Sequence, residues 1–231
     1  MRTKTLLLTA ALSAAGVLSS MAVVTSVNVV GYINVSVPVG FSFIANQLVA
    51  ASDTVANLIP APADGTVLYT WGPAGFAANP YNLFGDNTWD DATVKLSVGS
   101  GGLIFNASPA PFTITFVGEV KQGSLSTAIE PGFQFVSSQV PQEGSLSALN
   151  FTPTSGDVVY QWGPNGFEAS SFDLFGDKTW DPSEPTLKVG QSVLEVVDCL
   201  GDAGTAVRPS KTAANDRALV WAIGEAAARC Q

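Results

Sequence analysis

The chain has 231 residues, of which 46% are apolar and only 13% charged, with 22 Gly, 14 Pro and a formal charge of −9. That balance favours strands and turns over helical bundles, whose exposed faces need Lys, Glu and Arg. It excludes nucleic acid as a partner, because between the leader and Gly190 the only cations are Lys95, Lys121, Lys178 and Lys188 and phosphate binding needs a basic footprint. The lack of any His removes the commonest general base and metal ligand, and with them serine-triad hydrolysis and His-ligated zinc chemistry.

Residues 1–22 read as a signal peptide. Arg2 and Lys4 precede an apolar run from Leu6 to Leu18, and small residues end at Ser20-Met21-Ala22, which predicts cleavage after Ala22. The alternative is an uncleaved anchor, since the apolar stretch extends to Val24. Cleavage takes the formal charge from −9 to −11, because no acid precedes Asp53. It predicts an exported chain at a periplasmic, cell-surface or extracellular address, with no membrane span once the signal is gone.

The body repeats itself. An offset of 91 residues lays 67–76, Val-Leu-Tyr-Thr-Trp-Gly-Pro-Ala-Gly-Phe, on 158–167, Val-Val-Tyr-Gln-Trp-Gly-Pro-Asn-Gly-Phe. It also lays 83–90, Leu-Phe-Gly-Asp-Asn-Thr-Trp-Asp, on 174–181, Leu-Phe-Gly-Asp-Lys-Thr-Trp-Asp. Upstream, 40–47 matches 132–139 at an offset of 92. We take 23–120 as a first β-rich unit and 121–190 as a second, joined through the polar, Gly/Ser-rich stretch after Val120.

Within each unit, Val67, Tyr69 and Trp71 alternate with Leu68 and Thr70, as Val158, Tyr160 and Trp162 do with Val159 and Gln161. That period of two predicts strands with aromatics on one face. Pro at the second position of Gly72-Pro-Ala-Gly75 and Gly163-Pro-Asn-Gly166 presets a β-turn, and Phe76 and Phe167 start the returning strands. Gly-Phe-x-Phe near each unit's start and Phe-Thr-Ile-Thr-Phe-Val at 112–117 add further strands. The expected fold is all-β, two tandem small antiparallel sandwich- or barrel-like units packed as a pair. No Cys lies within the units, so apolar burial must hold them.

After Gly190 the second unit stops resembling the first, and 191–231 reads as a divergent tail. It holds every Arg except Arg2 and both cysteines, Cys199 and Cys230. We read it as a frameshift product: one permitted codon choice for 193–200, read one base later, gives Phe-Trp-Lys-Ser-Ser-Thr-Ala, the aromatic strand and polar turn expected there. On that reading the second unit has lost its C-terminal strands. The alternative is a genuine Ala-rich helix over about 212–229, in which Cys199 and Cys230 pair as a disulfide.

Two sets of side chains are candidates for function. Asp86 with Asp90, and Asp177 with Asp181, recur in both units, with Asp91 or Glu184 nearby. Paired acids can run glycoside hydrolysis or hold Ca²⁺, but the spacing is not that of an EF-hand, and Asp after Gly more often closes a turn. We therefore assign no catalytic residue, metal or cofactor. The aromatics Tyr69, Trp71 and Trp89, with Tyr160, Trp162 and Trp180, are the ligand-binding candidates, since flat faces with a polar handle stack on sugar rings; against this, such residues more often fill a core. The triplet Asn106-Ala-Ser108 fits a glycosylation acceptor but carries little weight in a bacterial protein.

With the export signal, the opening Ser-Val-Asn-Val-Val-Gly-Tyr at 26–32, the Gly-Phe-x-Phe starts, the Tyr-x-Trp hairpins and Phe-Val-Gly-Glu-Val at 116–120, the chain resembles the uncharacterised exported tandem β-domain repeat proteins of verrucomicrobial bacteria, over about 26–190. The resemblance implies an extracytoplasmic β-protein with no established catalytic residues to carry over. Members often end in an aromatic strand and sometimes a short sorting signal, and this tail has neither. The expected function is a non-enzymatic surface or extracellular protein, structural, adhesive or polysaccharide-binding, its partners polysaccharide or other cell-surface components. Duplication favours this, because linked weak sites gain avidity. The alternatives are a purely structural module without ligand and a glycoside hydrolase-like enzyme using the repeated Asp residues.

Overall fold

The structure, a computed structural model, describes residues 29–197. The signal segment, most of the tail and both cysteines lie outside the described residues. In chain order the elements are β1 (Val30–Val37), β2 (Gly40–Ala45), a single helical turn α1 (Val55–Leu58), β3 (Val67–Gly72), β4 (Gly75–Pro80), β5 (Gly101–Asn106) and β6 (Phe112–Glu119). Then follow β7 (Gly132–Val136), β8 (Gly144–Ser145), β9 (Val158–Gly163), β10 (Gly166–Phe172), β11 (Trp180–Asp181), β12 (Thr186–Leu187) and β13 (Val193–Val197). The fold is all-β, and every strand pair is antiparallel.

Sheet one has the order β2-β5-β3-β4, and sheet two β7-β13-β9-β10-β11. The hairpins form where the Gly-Pro-x-Gly turns predict them: Gly72 faces Gly75, Gly163 faces Gly166, and the closing glycines take φ of 94° and 100°, a left-handed region that costs glycine little. Residues 191–197, grouped with the divergent tail by sequence, supply β13, a central strand of sheet two. Leu194 lies opposite Phe135 as Leu103 lies opposite Phe43, so the strand stands where β5 stands in sheet one. Its side chains enter opposite cores in turn: Leu194 the core between the sheets, and Val193 the core on the outer face.

Three apolar cores follow from the period of two. The inner faces of the two sheets meet over Phe43, Leu103, Phe135, Tyr160 and Leu194. The outer face of sheet one carries Ile44, Leu68 and Ile104, covered by the ribbon of β1 and β6 through Ile33, Val37, Ile114 and Phe116. The outer face of sheet two carries Val136, Val159 and Val193 and packs on Leu146 and Leu187 beside the short β8–β12 pair.

The contacts between the sheets are reciprocal. Phe41 packs 4.9 Å from Trp162 and Phe133 packs 4.9 Å from Trp71, both with tilted rings. Phe43 lies 5.9 Å from Phe167, and Phe135 lies 6.1 Å from Phe76. The Ala45 N–H donates to the Gly190 carbonyl at 2.8 Å, and the Ser137 N–H to that of Gly99 at 3.0 Å. Phe43 and Phe135, which occupy matching positions, meet each other edge-on at 5.5 Å. This is an isologous interface within one chain: a pseudo-twofold axis relates the sheets, and residues near it touch their own counterparts.

Candidate functional site

Four of the six aromatic candidates face the partner sheet. Trp71 and Trp162 are half-buried, each held edge-on by the Phe across its own hairpin (Phe76 at 4.8 Å, Phe167 at 4.9 Å) and packed at a tilt against a Phe of the other sheet. Tyr69 is half-buried against Phe41 and Phe76. Tyr160 is buried, which pushes its phenol up to about 12. The remaining two belong to the outer cores. Trp89 is buried, donates from Nε1 to the Ile59 carbonyl at 2.8 Å and packs on Tyr81. Trp180 is half-buried beside Phe172 and lines an open pocket of about 430 Å³ with Phe151 and Glu184. The structure thus places the six in three different cores; Trp71 and Trp162 serve mainly to hold the two sheets together.

Of the repeated acids, Asp86 and Asp177 act in turns, while Asp181 lies on β11 opposite Ser171. Asp86 Oδ1 accepts from the Thr88 N–H and Asp177 Oδ1 from the Thr179 N–H, both at 3.1 Å; hydrogen bonding from the Thr88 side chain, then from its main chain, lowers the Asp86 pKa. Asp91 accepts from both the N–H and the hydroxyl of Thr93, which lowers its pKa too. Glu184 accepts from the Ser147 N–H. Among the described residues no group of three or more acids, His or Cys is placed to hold a metal ion. Asn106 of the glycosylation triplet is buried, and its Nδ2 donates to the Ala110 carbonyl.

The loops carrying these acids present a feature that sequence reasoning passed over. Residues 82–88 and 173–179 share one conformation, with positive φ at Asn82, Gly85 and Asn87 and at Asp173, Gly176 and Lys178. Each loop is closed by main-chain bonds, Asn82 N–H to Thr88 O and Asp173 N–H to Thr179 O, both 2.8 Å. Side chains clamp them further: Asn82 Oδ1 accepts from the Asn87 N–H, and Asp173 accepts from both the N–H and Nζ of Lys178. The Lys178 bonds are the main reason the Asp173 pKa falls to about 2. At the tips stand Phe84, 81% exposed, and Phe175, 76% exposed. An exposed Phe costs solubility, and here two occupy the same place on matching, internally bonded loops. The identical Leu-Phe-Gly-Asp in both units was the available signal, but it drew notice for its acids.

Comparison with family models, with curated proteins and with solved structures finds no match.

Proposed function

We propose that the chain is an exported, non-enzymatic surface or extracellular protein whose duplicated units form one structural, adhesive body. The observation that carries this is the reciprocal packing of Trp71 on Phe133 and Trp162 on Phe41, which spends the aromatic faces on joining the units. The Phe84 and Phe175 loops are the contact points of the adhesive reading: two equivalent apolar tips on one rigid body engage an extended surface with avidity. A surface of repeating sugar rings suits a protruding aromatic.

The test is retention of the whole chain on insoluble polysaccharides, run beside a glycan array read by Trp fluorescence. Retention lost in the Phe84→Ser, Phe175→Ser double variant, with an unchanged unfolding curve, supports loop-borne adhesion. Saturable quenching abolished by Trp71→Ala or Trp162→Ala moves the site to the aromatic face. Polysaccharide turnover that disappears in Asp86→Asn with Asp177→Asn overturns the proposal in favour of a hydrolase.

A further inference from the structure

The outer faces of the two sheets are built from matching residues but are not covered alike. Val136, Leu146, Leu149 and Leu187 of the second unit correspond to Ile44, Val55, Leu58 and Leu96 of the first, all four of which are buried in one core beneath the β1–β6 ribbon. In the second unit the same residues line a cavity of about 710 Å³, where Ile114 and Phe116 of β6 close the core in the first. Residues 122–129 are the counterpart of β1. Leu125, Thr127 and Ile129 line the cavity at the places of Ile33, Val35 and Val37, yet 122–129 form no strand. Residues 123–129 make no main-chain hydrogen bond with other described residues.

We propose that this cavity is a strand-acceptor site, taking from a separate polypeptide an extended segment with large apolar side chains at alternate positions. The first unit is the template: β6 pairs with β1 along 112–119 and turns Ile114 and Phe116 into the core, with Phe112 packed against it. In the register of the repeat the chain's own continuation is too small for the role. At the offset of 91, Phe112, Ile114 and Phe116 fall on Ala203, Thr205 and Val207. An added strand satisfies the main chain of 122–129 and fills the cavity in one step, as in β-strand addition generally. The inference rests on packing alone and is independent of the proposed adhesive role.

A fluorescein-labelled peptide with the sequence of residues 112–119, titrated into the full chain and read by anisotropy, tests it. Saturable one-to-one binding is expected, at least tenfold weaker for a peptide with Ser in place of Phe112, Ile114 and Phe116. Leu125→Asp, at an exposed wall position, is expected to weaken binding at least fivefold without unfolding the chain. Hydrogen exchange should slow at 122–129 when the peptide binds. Absence of binding overturns the proposal and leaves the seat to the chain's own C-terminal residues. Equal binding of both peptides, or protection only elsewhere, overturns it as well.

Discussion

The two units use their inner faces in the same way and their outer faces differently. Inside, each sheet is the other's partner, so the Trp–Phe and Phe–Phe contacts between the sheets recur in both directions. Outside, unit one is sealed by β1 and β6 around Phe116, which is 1% exposed, whereas unit two has a cavity over Leu149 and Phe151. The central strands carry the same contrast. Buried Ile104 of β5 is matched on β13 by Glu195, equally buried, with neither carboxylate oxygen hydrogen-bonded among the described residues. Burial, reinforced by the Asp157 carboxylate, pushes the Glu195 pKa up to about 8. The inner faces cover each other, while each outer face is covered by a different part of the chain.

The largest break in this comparison should come from Phe116→Ala. It empties the sealed core and should cost about 3–5 kcal/mol in a urea unfolding curve, while Phe151→Ala, beside space that is already open, should cost about 1 kcal/mol. Equal losses would refute the difference between the outer faces.

Glu195→Ile gives unit two the residue of unit one and should stabilise it by about 2–4 kcal/mol at pH 8. The folded state holds a proton up to about pH 8 that the unfolded carboxyl, with its ordinary value of 4.5, releases earlier. The folded state therefore loses stability as pH rises from 4.5 to 8, and the gain from Ile should shrink towards pH 4.5. A pH-independent gain would show that the carboxylate is not the cause.

Gly101→Ala probes the pseudo-twofold axis. A Cβ there overlaps the Ser192 side chain, its own counterpart, and comes within 2.6 Å of the Ile44 carbonyl; a thermal melt should register a loss of about 1–3 kcal/mol. Ser192→Gly in the same chain should recover part of that loss, because the two residues share one clash. The smallest effect belongs to Phe84→Ser and Phe175→Ser, each expected within about 0.5 kcal/mol of the parent, since the tips touch little of the core.

Much of the fold was legible because strand periodicity is local. The alternation of Val67, Tyr69 and Trp71 with Leu68 and Thr70 predicts the two faces of β3, and the Gly-Pro-x-Gly turns locate both hairpins. β13 was missed because its residues no longer match those of β5, although Leu194 still stands where Leu103 stands. The candidate site was less legible. Nothing local says that Trp71 faces Phe133, a contact across distant residues. The exposed Phe84 and Phe175 are spelled like core residues.

By itself the sequence determined the all-β composition, the matching units and the turns, because hydrophobic period and turn chemistry act over a few neighbouring residues. Only the tertiary structure decided which face of each sheet is inner, that Trp71 and Trp162 pack across the units, and that one outer face is sealed while the other holds a cavity. Those outcomes depend on what packs against a strand from far along the chain, and two strands with the same pattern meet different neighbours.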